Sequence, residues 1–315
     1  MLSLALLMVF SACKKDTQLQ ESETYAIPDA IAATSLPSGY NLSNWMGAIP
    51  NTTSIASISI PGTHDSGARF EPVSGTAKCQ NLTIAEQLNA GVRYLDIRCR
   101  HIDNAFAIHH GAIYQNLNFN DVLNACISFL NSNPSETIIM SVKEEHTASN
   151  NTRSFEQTFD SYVAQNASKW DLGDNVPQIS AIRGKIKLLR RFGSGAVKGI
   201  AATSWADNTT FEINTAAANL KVQDFYNVND VNTKWTNVEN LLNEAKNSTT
   251  NRVYINYGSG YKAGVFGIPN INTVANHVNP RITTFFTNNT VGKFGIIPLD
   301  FIDAGRSELI VRTNF

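Results

Sequence analysis

Ile60-Pro61-Gly62-Thr63-His64-Asp65-Ser66-Gly67 closes an apolar run that starts at Ile55. The run reads as a buried strand, and Pro61 and Gly62 break it. His64 and Asp65 therefore land just past a strand end, a position suited to acid–base chemistry. Seven further apolar runs follow, at 92–98, 104–109, 137–143, 185–191, 220–226, 252–257 and 294–300. Helical patterns fill most gaps between them, at 82–90, 118–132, 153–168, 234–247 and 271–288, with Asn133-Pro134 stopping the second. Eight strands with intervening helices predict an α/β fold, a (β/α)8 TIM barrel with gaps, which the family resemblance given below implies is distorted and incompletely closed. The step from the second run to the third is too short for a helix, so one crossover is irregular. Pro298 marks the last run as irregular or at an edge.

Barrel enzymes carry their chemistry at the C-terminal ends of the strands. Here those ends supply His64 and Asp65, then Asp96 and Arg98, then His109 and His110. Lys143 with Glu144 and Glu145, Arg190 and Arg191, Asp224 and Tyr226, and finally Asn256 and Asp300 complete the ring. Guanidinium and ammonium groups in one mouth call for an anion, and the planar fork of Arg suits phosphate. Asp, Asn and Tyr call for hydroxyls, and two histidines offer one base and one acid. The mixture points to phosphoryl transfer on a polyhydroxylated phosphodiester. No carboxylate cluster accompanies the His64 loop beyond Asp65 and Asp96, so no metal and no cofactor are expected. Strand alternation, together with the family resemblance given below, turns Arg191 to the mouth and Arg190 to the helix layer. Glu144 and Glu145 read as structural partners for Arg or Lys, Trp205 as core or as a neighbour of the substrate, and the family resemblance given below implies that His109 is structural.

Composition narrows the class. The chain has 315 residues and a formal net charge of −1. No Lys/Arg run exceeds a pair, which excludes the basic stripe of a nucleic-acid binder. Residues 1–13 form a targeting segment: Leu2 to Phe10 is apolar but too short to span a bilayer, and Ser11-Ala12-Cys13 follows. This resembles a bacterial lipoprotein signal. It implies export and lipid anchoring to the outer membrane or cell surface through Cys13; otherwise the protein is secreted. Residues 14–38 read as a flexible tether, and 39–315 as a single catalytic domain in which the stretch around Trp45 and Met46 packs over one end. Cys79, Cys99 and Cys126 show no metal-ligand spacing; a Cys79–Cys99 disulfide and buried free thiols are both open.

Six segments together carry a family resemblance. They are the His64 octet, Gly91-Val92-Arg93-Tyr94-Leu95-Asp96-Ile97-Arg98, His109-His110-Gly111, Asn133 to Glu144, Arg183 to Arg191, and Val222-Gln223-Asp224-Phe225-Tyr226. In this order, from about Trp45 to Asp300, they resemble bacterial phosphatidylinositol-specific phospholipase C. The resemblance implies cleavage of phosphatidylinositol to diacylglycerol and inositol 1,2-cyclic phosphate, with slower opening of the cyclic ester. It implies His64 as general base oriented by Asp300, and His110 as general acid assisted by Asp65. Arg98 is implied as the phosphate clamp, with Asp96 fixing it, and Lys143, Arg191, Asp224 and Tyr226 as inositol-binding residues. Eukaryotic relatives place Ca²⁺ where Arg98 stands, so metal independence is expected. The substrate is expected on a peripheral membrane surface, as phosphatidylinositol or a glycosyl-phosphatidylinositol, with the enzyme acting as a monomer. The rim departs from the family: Ala68 to Asn81 has no Trp, and Gly258 to Pro269 offers Tyr261, Val265 and Phe266. Two other readings are a metal-dependent barrel phosphodiesterase, such as a glycerophosphodiester hydrolase, and an inactive inositol-lipid-binding lipoprotein.

Overall fold

A computed structural model describes residues 35–315. The expected targeting segment, Cys13 and most of the expected tether lie outside the described residues. Leu36 already packs against the barrel interior, so the domain starts a few residues before Gly39.

The chain runs β1 (Ile60–Thr63), α1 (Ile84–Asn89), β2 (Tyr94–Ile102), β3 (Ala105–His110), β4 (Ile113–Asn118), α2 (Phe119–Ser132) and β5 (Ile138–Glu144). Next come α3 (Phe155–Gln165), β6 (Trp170–Asp171), the single turn α4 (Ile179–Ile182), β7 (Ile186–Arg191), β8 (Ile200–Ala201), β9 (Thr210–Asn214) and β10 (Asn219–Gln223). α5 (Val231–Asn247), β11 (Val253–Asn256), β12 (Lys262–Ala263), β13 (Pro269–Asn270), α6 (Ile271–Asn288), β14 (Ile296–Leu299) and α7 (Ala304–Arg312) complete it. The main sheet has the order β6-β7-β5-β2-β1-β14-β11-β10-β9 and curls without closing. β6 at one edge and the antiparallel β9 at the other are not paired, which leaves the gap expected of an open barrel.

Two apolar layers follow from strand alternation. Residues such as Ile60, Tyr94, Ile139, Leu189, Val222, Ile255 and Ile296 fill the barrel. Their alternates, including Leu95, Ile97, Met140, Leu188 and Ile297, face the helices. Capping boxes at Thr83, Asn118 and Ser154 start α1, α2 and α3.

Several expectations need correction. Ile55–Ser57 is a 3-10 turn, so strand β1 begins only at Ile60. The run at 104–109 is not a barrel strand: it pairs antiparallel with the overhanging end of β2 and continues into β4. A two-residue turn cannot provide a parallel crossover, and a hairpin is what remains. Pro298 lies in a central strand, between β1 and β11, not at an edge. In the register Gly62↔Pro298, the neighbours of Pro298 bond to β1, so its missing donor faces β11, where a single pair is in register. Gly62 is required opposite: a Cβ there would come within 3.0 Å of Tyr94. All three described cysteines are free, and no Cys79–Cys99 bridge forms. Cys99 points into the helix layer, whereas Cys79 packs beneath the rim with Ala68 and Ile271.

The Trp45–Met46 segment does cover one end, the N-terminal ends of the strands. Arg93 and Glu136, both fully buried, form an ion pair there at 2.8 Å. Glu136 accepts from the Met46 and Gly47 amides, and Arg93 donates to the Leu42 and Ser43 carbonyls. Arg183 adds donations to the Met46 and Ile49 carbonyls.

Candidate active site

Parallel register assembles the opposite end. β1 pairs with β14 through Thr63↔Leu299, so the next residues, His64 and Asp300, meet. The His64 Nδ1–Asp300 Oδ1 distance is 2.7 Å. Arg98, Lys143 and Arg191 are register partners across β2, β5 and β7, and form one row of three cations. The row below holds Asp96 and Ser141, which places the Asp96 carboxylate under the cations. Asp96 accepts from Arg98 Nε at 3.2 Å and lies 3.6 Å from Arg191 Nη1. Burial alone would raise the Asp96 carboxyl, but Arg98 and Arg191 hold it well below the usual carboxylate range. Glu145 accepts from Lys143 Nζ at 2.9 Å. Against its burial, Arg98 and Lys143 hold it at about 2.

The tautomer of His64 follows from its partners. Arg98 Nη2 donates to His64 Nε2 at 2.8 Å, and a guanidinium has no lone pair to accept with. Nε2 is therefore the acceptor, and Nδ1–H donates to Asp300. The ring is a neutral base whose lone pair is covered by Arg98.

His110 arrives from the β3 hairpin. A register shift between Ala107 and His109 re-aims the strand end. His109 is buried against Tyr114, and His110 faces the mouth with its ring centroid 6.5 Å from that of His64. His110 Nδ1 bonds the Ala77 carbonyl at 2.7 Å, and Asp65 Oδ2 stands 3.8 Å away, too far for a hydrogen bond. Asp65 follows His64 directly but turns to this second side because its backbone is left-handed, φ 37°. It is fully buried, with neither carboxylate oxygen hydrogen-bonded. Burial raises its carboxyl to about 7, although Arg98 and His64 pull the other way. Burial, followed by Arg98, lowers His110.

The remaining site residues line the wall. Arg191 stacks over Trp205 at 3.7 Å, and Trp205 Nε1 donates to Asp224 at 2.9 Å. The Tyr226 hydroxyl donates to Asp207 at 2.6 Å. Arg190 turns away, donating to the Lys198 and Phe192 carbonyls. The whole arrangement brings a base, a cation row and a second histidine to one mouth.

The residues 69–192 match the model of the phosphatidylinositol-specific phospholipase C X domain. A 1-phosphatidylinositol phosphodiesterase of Staphylococcus aureus is 34% identical over 275 residues, covering 82% of this chain and 88% of that protein. The chain belongs to the bacterial phosphatidylinositol-specific phospholipase C family. A Listeria monocytogenes 1-phosphatidylinositol phosphodiesterase is 30% identical, with 86% and 84% covered. Among solved structures, a Staphylococcus aureus phosphatidylinositol-specific phospholipase C superposes with a TM-score of 0.78 at 32% identity, covering 87% of this chain and 98% of that one. The Listeria monocytogenes enzyme superposes with a TM-score of 0.70 at 28% identity, covering 88% and 100%. The protein is accordingly a phosphoric-diester-cleaving enzyme.

Within this phospholipase C frame, one assignment changes. Asn256 does not face the mouth; it bonds Gln223 and the Val238 carbonyl beneath α5. Its neighbour Tyr257 takes the inward position, 6.0 Å from His64 ring to ring and bonded to Tyr94 at 2.8 Å. Alternation from Ile255, which fills the barrel, carries that signal in the sequence. Gln80, which ties the His64 and Leu299 carbonyls together at 2.8 Å, carries no such signal, because it lies in an irregular loop. The same holds for Cys79, whose sulfur lies between the two histidine pairs.

Proposed function

We propose that the protein cleaves phosphatidylinositol without a metal ion, through attack of the inositol 2-hydroxyl on phosphorus. The observation that carries this reading is the hydrogen bond from Arg98 to His64 Nε2. In the resting site the clamp covers the base. A phosphate anion draws the guanidinium toward itself and uncovers the lone pair only when substrate is in place. His64 Nε2 then takes the proton of the 2-hydroxyl, and Asp300 stabilises the imidazolium. The new P–O bond closes the cyclic phosphate as the glycerol P–O bond breaks. His110, protonated as the phosphate anion arrives, gives its Nε2 proton to the departing oxygen, and Asp65 supports the charged ring. The attack is intramolecular, so positioning supplies much of the rate. Lys143, Arg191, Asp224 and Tyr226 hold the inositol hydroxyls, and Trp205 braces Arg191 and Asp224. Glycosyl-phosphatidylinositol presents the same inositol phosphate.

Phosphorus NMR of phosphatidylinositol turnover tests the product. A cyclic phosphate signal preceding any monoester is expected, and it is expected to persist in EDTA. Loss of activity in EDTA with restoration by Ca²⁺ would instead make the enzyme metal-dependent.

The membrane-facing rim is apolar without tryptophan. Phe266 is 96% exposed, Val73 59% and Ile268 51%. The Gly75 carbonyl accepts the Ile271 amide, so the two rim segments are stitched together. One Staphylococcus aureus structure concerns modulation of that phospholipase's membrane binding. Burying a Phe side chain is worth about 1.5–3 kcal/mol. Phe266→Ser should therefore weaken partition onto phosphatidylinositol vesicles about tenfold, while turnover of a soluble inositol phosphodiester holds. Unchanged sedimentation with vesicles would remove Phe266 from the docking surface.

A further inference from the structure

Cys79 is fully buried between the catalytic pairs and has no part in the chemistry above. Its sulfur lies 3.8 Å from His110 Nδ1, and Asp65 Oδ2 lies 3.8 Å from the same nitrogen. The three ligand atoms fall within 4.8 Å of one another. A tetrahedral zinc ion with the usual bond lengths spaces its ligands at about 3.6 Å for N···S and about 3.4 Å for N···O. The His110–Cys79 and His110–Asp65 pairs need to close by only a few tenths of an ångström, and Cys79 and Asp65 lie within 4.8 Å of each other. Asp65 adds the second observation: a wholly buried carboxylate with both oxygens lacking a hydrogen-bond partner. The neighbouring set of His64, Cys79 and Asp300 does not offer the same room, because its nitrogen and oxygen are closed at 2.7 Å by their own hydrogen bond.

We propose that Asp65, Cys79 and His110 form an inhibitory site for a thiophilic divalent cation such as Zn²⁺. The ion binds as its thiolate complex, releasing the Cys79 proton to solvent. One thiolate and one carboxylate neutralise its charge. The nearest cation, Arg98, stands 3.9 Å from Asp65 and is already paired with Asp96. The fourth position opens toward the mouth, where the His110 side chain is 22% exposed. Binding requires His110 Nδ1 to exchange its bond to the Ala77 carbonyl for the metal, with the ring proton on Nε2. The ring is then held neutral and Asp65 is taken from it. That consequence rests on His110 being the general acid; the site itself does not. A chelator should thus raise the activity of zinc-exposed enzyme, the reverse of its effect on a metal-requiring one.

The test uses the full-length protein freed of metal by chelation and titrated with Co²⁺. One equivalent is expected to produce a thiolate-to-cobalt charge-transfer absorption. Zn²⁺ is expected to suppress phosphatidylinositol turnover reversibly. Cys79→Ala should abolish the absorption and raise the inhibitory Zn²⁺ concentration at least about tenfold relative to the variant's own metal-free rate. Cys79→Ser, closer in volume, guards against misfolding and should behave likewise. Cobalt binding without the thiolate absorption, or equal Zn²⁺ sensitivity in both variants and wild type, would overturn the site. The absorption without inhibition would support the site and overturn His110 as the general acid.

Discussion

His64→Ala is expected to lower kcat for phosphatidylinositol about 10²–10⁴-fold, the range typical of a lost general base. The hydrogen bonds of the resting site sharpen this result. Arg98 Nη2 donates to His64 Nε2 in the free enzyme, so base and phosphate compete for one guanidinium. Removing the ring frees the clamp, and KM should hold or fall while kcat collapses. A merely structural histidine would instead raise KM or lower the melting temperature. Phosphorus NMR would show cyclic phosphate from the wild type and none on the same time scale from the variant. A variant that keeps more than about a tenth of the wild-type kcat would remove His64 from the role of base. Asp300→Asn should follow the same direction, since the Nδ1–H that fixes the tautomer loses its carboxylate acceptor at 2.7 Å.

Arg93→Ala is expected to destabilise the domain by about 3–5 kcal/mol, the usual cost of leaving a buried charge without its partner. Arg93 and Glu136 are both fully buried. Arg93 Nε also donates to Glu136 at 2.9 Å, and its remaining donors meet the Leu42, Ser43, Leu88 and Val92 carbonyls. Arg93→Lys cannot reproduce this, because one ammonium has three donors and no planar fork. The fall in Tm should be roughly 8–15 °C by thermal circular dichroism. Turnover well below the transition should persist, because this cluster closes the end of the barrel away from His64. A melt within about 2 °C of wild type would mean that the charge is neutralised or solvated without Arg93.

Alternation, together with the family resemblance, sorted Arg191 to the mouth and Arg190 to the outer layer, and alternation places Asp96 with Arg98 on one face of β2. The same rule, applied from Ile255, selects Tyr257 over Asn256, so that error lay in reading the strand end by residue type. Other features left no local trace. The hairpin carrying His110 has the apolar character of a barrel strand, and only the length of its connection distinguishes it. Cys79 and Gln80 sit in a loop without period, where spacing says nothing about direction.

Taken alone, the sequence determined the positions of most strands and helices, the barrel class and the set of charged strand ends. These depend on periodicity and breakers within a few residues, and such signals are local. Tertiary structure decided who meets whom. His64 and Asp300 are 236 residues apart, and the parallel pairing of β1 with β14 brings them together. The cation row of Arg98, Lys143 and Arg191 exists only through the register of three strands. Asp65 is parted from its neighbour His64 by one left-handed backbone angle, and buried without a hydrogen-bonding partner. Register and desolvation are properties of the packed sheet, and the chain acquires them only on folding.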